Sequence, residues 1–194
     1  AEMLAANGNT VIRVGHMVSD IMKNENKKII EYDHDEFRTE LLDIYLAANC
    51  RYIVGSDTGY LSVATCFRRP MIWVNVSHLD QIDCYLKSWI IIFKRYWLKA
   101  EKRFMSIKEI FETGAGNYNT NVEFEKKGIE LINNTPQQII DVVNEMEKRL
   151  DGSWQESDED KNLQKLFWRH CKTMICVCME IPNHKNKGYN LKHY

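Results

Sequence analysis

The stretch that most constrains this chain is residues 50–76, CRYIVGSDTGYLSVATCFRRPMIWVNV. Its opening run, CRYIV, is compact and apolar, ends at Gly55, and is read as a buried strand. GSDTG, residues 55–59, is a turn. From Tyr60 to Phe67 the apolar residues Leu61, Ala64 and Phe67 recur at helical spacing and predict a helix with those three as its inner face. Pro70 closes that segment, and MIWVNV predicts another strand. Strand, glycine turn, helix and strand in so short a span define a βαβ unit, whose two strands are expected to be parallel and joined by a right-handed crossover.

The flanking segments repeat the alternation. Residues 1–7 read as the last turns of a helix with Gly8 at its C-cap, as if the chain began inside an element. Residues 10–15 (TVIRVG) and 28–32 (KIIEY) predict short strands, separated by a polar, Asn- and Lys-rich surface loop. Residues 36–49 predict a helix capped by Asp35, with Phe37, Leu41, Leu42, Ile44, Tyr45 and Leu46 as one broad apolar face. Later come a strand over 90–93 followed by a solvated segment with Trp97 beneath it, then a helix over 106–113 opened by a Ser106–Glu109 capping box and closed by Gly114. A strand over 129–132 precedes a helix that starts at Thr135 and Pro136, has Gln138 completing its box, and ends at Gly152. Residues 158–170 form an acid-led final helix. Alternating strands and helices predict an α/β fold with a mostly parallel sheet.

The 55–59 turn carries the most chemistry. A helix that starts there presents N–H groups without backbone partners and a positive dipole end, which favours an anion by about 0.3–1 kcal/mol. Gly59 leaves a ligand room to approach the backbone, and Ser56 and Thr58 add hydroxyls. Such a turn holds a pyrophosphate without a metal. It also admits a plainer reading, in which Asp57 or Thr58 caps the helix and Gly55 merely serves the turn. Neither the Walker spacing nor the G-x-G-x-x-G fingerprint is present.

Beyond the turn, segments FRTELLDIYLAANCRYIVGSDTGYLSVATCFRRPMIWVN, WLKAEKRFMSIKEIFETG, KKGIELINNTPQQIIDVVNEMEKRLDGSW and QESDEDKNLQKLFW occur in that order. In this combination the chain resembles a family of bacterial glycosyltransferases of the GT-B fold, associated with surface-polysaccharide synthesis. The likeness spans residues 10–168. It implies that residues 1–170 are a Rossmann-like nucleotide-sugar-binding domain, the C-terminal half of a GT-B enzyme, lacking its own first strand and the acceptor-side domain. Residues 171–194 are then a divergent tail. By the same resemblance Gly55, Ser56, Asp57, Thr58 and Gly59 meet the donor diphosphate, and Arg13 reaches a phosphate. Arg13 reads equally as half of a surface ion pair. Arg68 and Arg69, at the far end of the helix, are expected to be structural.

The implied partners are a nucleotide-sugar donor and a glycan or other acceptor, with no resident cofactor. A sugar-nucleotide epimerase shares the two-domain fold but carries acidic residues after the turn, where Tyr60, Leu61, Ser62 and Val63 stand here. A non-catalytic α/β binding module is the remaining alternative. No catalytic residue is singled out among Asp33, Asp35, Glu36, Glu40 and Asp43, although Asp43 is expected to be partly buried.

The formal net charge of −1 gives no global pull toward nucleic acid or anionic lipid. No apolar run approaches the length of a membrane span, although the aromatic and basic residues of 87–103 leave peripheral membrane contact open. The six cysteines are not spaced as a secreted disulfide framework, and Cys50 and Cys66 read as small buried hydrophobes, which favours a reducing compartment and the cytoplasm. Cys171, Cys176 and Cys178, with His170 and His184, match no common structural zinc spacing, so no metal site is expected.

Overall fold

A computed structural model of the chain describes residues 1–15, 24–32, 36–79 and 88–170, the side chains of Trp168 and His170 aside. Helix α1 (Glu2–Ala6) ends as expected. Gly8 takes φ +91°, its N–H donates to the Ala5 carbonyl and that of Asn9 to Leu4, which together close a Schellman cap. Strand β1 (Val11–Arg13) pairs in parallel with β2 (Ile29–Glu31). After α2 (Glu40–Asn49) the chain forms β3 (Ile53–Gly55), α3 (Gly59–Cys66) and β4 (Met71–Val76), with β3 and β4 parallel, Ile53 beside Met71 and Val54 beside Ile72. Strand β5 (Trp89–Phe93) joins the far side of β4, again parallel, with the register shifting between Trp73 and Val76.

Past β5 the chain turns at Lys94 into β6 (Arg95–Leu98), the centre of a small antiparallel sheet with β7 (Arg103–Phe104) and β8 (Ile129–Ile132). The solvated segment expected after residue 93 is therefore a strand. Tyr96 and Leu98 point to one face of it and Arg95 and Trp97 to the other. Tyr96 is fully buried and its hydroxyl donates to the Ser77 carbonyl. Trp97 meets the Phe104 ring edge-on with centroids 4.9 Å apart, and the Arg95 guanidinium lies 3.4 Å over that ring.

Helices α4 (Ile107–Thr113), α5 (Asn121–Lys126), α6 (Pro136–Leu150) and α7 (Asp158–His170) complete the described chain, with a 3₁₀ turn at Ala115–Asn117. Capping boxes open α4, α5 and α6 at Ser106, Thr120 and Thr135. At α4 the box is reinforced by Arg103, whose guanidinium binds Glu109 at 2.7 Å and holds its carboxyl down at about 2.

Helices cover both faces of the parallel strands, which is the α/β arrangement expected. Ile90 and Ile92 of β5 lie with Ile72 and Val74 of β4 against Val142, Val143 and Met146 of α6, and Met3 and Leu4 of α1 join that cluster. On the opposite face Leu61 of α3 packs on Met71 and Trp89, while Ile91 and Phe93 face Tyr96, Ile110, Phe124 and Phe167. β5 is buried along its whole length because it contributes to both layers.

Several expectations are corrected by burial. Helix α2 begins at Glu40 with Thr39 as its cap, the Thr39 hydroxyl accepting from the Leu42 N–H. Asp35 lies outside the described residues. Of the broad apolar face, only Leu42 and Leu46 turn partly inward, beside the buried Ala47, whereas Leu41 is 77 % exposed, Phe37 78 %, and Ile44 and Tyr45 also face outward. Phe67 is the exposed C-cap of α3 rather than part of its inner face. Cys66 is exposed and Cys50 half-buried, so neither is the fully buried hydrophobe expected. β3 is only partly covered, with Val54 38 % exposed.

The end of α3 supplies a direct test of backbone strain. Arg68 sits in the left-handed region at φ +54°, its N–H bonded to the Thr65 carbonyl and the N–H of Arg69 to Ala64. A glycine adopts this conformation without the side-chain clash. Arg68→Gly is expected to raise unfolding stability by about 0.5–1 kcal/mol, read as a higher midpoint in urea. Arg69 is structural as expected, its Nε donating to the Ala48 carbonyl and tying the end of α2 to the start of β4.

Candidate anion site at the turn after β3

Gly55 ends β3, and a Cβ placed on it would come within 3.0 Å of Leu61 Cδ2. Its backbone is not left-handed. Here α3 folds back so closely that its buried Leu61 side chain lies against the strand end, and a larger residue would crowd it. Gly59 is different. It is the first residue of α3, and a Cβ there would meet nothing within 4 Å. The space over the helix start is open.

Ser56, Asp57, Thr58 and Gly59 are all exposed. Thr58 is the N-cap of α3, with extended backbone at φ −138° and ψ 151°, yet its side chain makes no capping bond. At α2, α4, α5 and α6 the N-cap hydroxyl accepts from a first-turn N–H. In α3 the Leu61 N–H is taken by the Thr58 carbonyl at 3.1 Å, and the N–H groups of Gly59 and Tyr60 precede any possible helical partner. The reading in which Asp57 or Thr58 simply caps the helix finds no bond in the structure. The start of α3 is anchored from beneath, where the Tyr60 hydroxyl donates to the Asp43 carbonyl at 2.9 Å. Burial, and then the Asp43 charge, push the Tyr60 hydroxyl up to about 12, so it stays a neutral donor.

Arg13 ends β1, and its guanidinium lies 3.2 Å from both carboxylate oxygens of Glu31, its register partner on β2. It lines a cleft between β1 and β3 that also touches Val54 and Tyr60, but residues 55–59 are not part of that lining. The structure therefore brings Ser56, Asp57, Thr58 and Gly59 together at one helix end and leaves Arg13 in an ion pair to one side. Among the acidic residues, Asp43 is partly buried as expected and its carboxylate binds Arg38 at 3.0 Å. Glu36 and Glu40 are exposed, and Asp33 and Asp35 lie outside the described residues.

The other constellations add little chemistry. Of the basic residues in 87–103, Lys99 pairs with Glu130, and Arg103 with Glu101 and Glu109, so much of that charge is answered locally. Among the described residues no three His, Cys, Asp or Glu side chains gather as metal ligands. Cys84, Cys171, Cys176, Cys178 and His184 fall outside them, with the 171–194 tail. No described helix is long and apolar enough to cross a membrane. Compared with protein-family models, curated proteins and solved structures, the chain matches none.

Proposed function

We propose that the chain binds the diphosphate of a nucleotide-sugar donor at residues 56–59 and serves as the donor-side domain of a glycosyltransferase. The observation that carries this reading is the α3 N-terminus, exposed and without a side-chain cap, which follows a strand of the parallel sheet. In open α/β sheets ligands bind beyond the carboxyl ends of strands, and a helix N-terminus there accepts phosphate oxygens through backbone N–H groups. In sugar transfer the negative charge develops on the leaving diphosphate. Donors fixed at that position stabilise the transition state electrostatically, without a divalent metal. The choice of a sugar-nucleotide donor over other phosphates rests on the resemblance of residues 10–168 to GT-B enzymes. Ser56 and Thr58 would add hydroxyl contacts.

Calorimetric titration with uridine, guanosine, cytidine, adenosine and thymidine diphosphates tests the reading. Gly59→Val fills only open space, so the fold is expected to survive while the added methyls block the helix start. Binding of one nucleotide that weakens about tenfold or more in the variant is the expected result. Wild-type affinity in Gly59→Val would remove the turn as the site. Failure of every diphosphate to bind would overturn the donor-domain reading of this chain.

A further inference from the structure

Helix α2 is apolar on two opposite sides. One side carries Leu42, Leu46 and the buried Ala47, and it is held down by the Tyr60 hydroxyl on the Asp43 carbonyl and the Arg69 guanidinium on the Ala48 carbonyl. The other presents Leu41, Ile44, Tyr45 and Ala48, with Phe37 just ahead of the helix. Positions 37, 41, 44 and 48 recur at three and four residues, so they form one stripe along the axis. The same spacing on α6 brings up Gln137, Asp141, Asn144 and Lys148, all exposed and all polar. Helix α6 thus has the one-sided pattern of a surface helix. A helix that is apolar all round is normally covered all round.

The stripe is large enough to matter. Ile44 is 46 % and Tyr45 59 % exposed, and with Phe37 and Leu41 they offer about 500 Å² of side-chain surface. Patches of this size on a monomer mark interaction sites. Pressed against an identical patch, the four side chains would remove about 1,000 Å² from water, the size at which specific interfaces begin.

We propose that this face of α2 is a homodimer interface, with α2 packed antiparallel against α2 of a second copy about a twofold axis. The arrangement is self-complementary. With the axis between Ile44 and Tyr45, Leu41 of each copy lies over the small Ala48 of the other, so a knob meets a recess. The exposed Glu36 and Glu40 at the start of one helix come beside the exposed Asn49 and Arg51 at the end of the other, and the helix dipoles oppose. A parallel pair would instead set the two Glu40 carboxylates together. Those same acidic residues disfavour an anionic lipid surface, which attracts Lys- and Arg-rich helix faces. An interface at this lower size limit corresponds to a dissociation constant of about 10–100 µM. At about 1 µM the chain is then monomeric, and Leu41 adds little to its stability.

The test is sedimentation equilibrium of the full chain between about 1 and 500 µM. The expected result is a monomer at the lowest concentration and a dimer at the highest. Leu41→Glu and Tyr45→Glu each place two carboxylates in the seam, and each is expected to weaken the dimer by about tenfold or more with an unchanged helical circular dichroism. Leu166→Glu, at a half-exposed position on α7, is expected to leave the dissociation constant within about twofold. A wild-type chain that stays monomeric at the highest concentration would overturn the proposal. Flotation of that monomer with anionic vesicles, lost in Leu41→Glu, would give the stripe to a lipid surface instead. A dimer that ignores both α2 substitutions, or one that all three weaken equally, would also overturn it. If Leu41→Glu loses its helical signal, Tyr45→Glu and the dilution of labelled wild-type chain carry the test. Amide shifts on dilution confined to residues 36–51 support the seam, and shifts confined to other elements reject it.

Discussion

Ile90→Ala is expected to lower unfolding stability by about 2–5 kcal/mol, the cost of removing a large buried aliphatic group and leaving a cavity behind. Ile90 is fully buried in β5, between Ile72 and the α6 residues Val142 and Met146. Its surroundings are a strand in a parallel ladder and a 15-residue helix, neither of which can move in far to fill the space. The comparison that makes the measurement informative is Leu41→Ala. Leu41 is as apolar as Ile90 and sits in the helix next to the glycine-turn unit, but it is 77 % exposed, so its loss is expected to change stability by less than about 0.5 kcal/mol. Urea unfolding of both variants checks the pair. Similar losses would mean that the α2 stripe is buried in solution.

Asn134→Ala is expected to cost about 2–4 kcal/mol, because it strands two backbone groups at once, the Asn75 N–H and the Phe93 carbonyl. Asn134 is 7 % exposed and follows β8. Its side-chain carbonyl accepts from the Asn75 N–H at 2.7 Å, and its Nδ2 donates to the Phe93 carbonyl at 2.7 Å. The Asn75 side chain returns the contact, accepting from the Asn134 N–H at 2.7 Å. Asn75 stands at φ +58°, where the β4–β5 register shifts, so the ladder is interrupted there and the two asparagines supply what it lacks. Asn134→Asp keeps the acceptor but loses the donor to Phe93, and an intermediate loss is expected. Hydrogen exchange at the Asn75 amide, faster in the alanine variant than global unfolding accounts for, would tie the effect to this clasp.

The helix ends were legible because their chemistry is local. Ser106 with Glu109 and Thr135 with Gln138 satisfy donors within three residues, so the pattern and the bond coincide. Gly8, Gly114 and Gly152 mark helix ends for the same reason, each at positive φ. The βαβ unit at residues 50–76 was legible because its apolar periods differ, with a run for the strands and three-to-four spacing for α3. The exposed candidate turn followed from that unit, since a strand-to-helix junction has to present a helix N-terminus.

What the sequence by itself determined was therefore the order and kind of most elements, and where a helix start meets a strand end. Only the tertiary structure decided which apolar residues lie inside. Phe37, Leu41 and Phe67 have the composition of core residues, but burial depends on how other layers pack against them, and all three stay exposed. It also decided that Arg95–Leu98 is a strand, since β6 is stabilised by β7 and by the distant β8. Arg13, open to either reading in the sequence, is set by register opposite Glu31, with which it pairs. The Asn75–Asn134 clasp joins positions far apart in the chain and has no sequence signature. In each case the deciding partner lies far away along the chain. Burial and strand pairing are properties of that partner as much as of the residue itself.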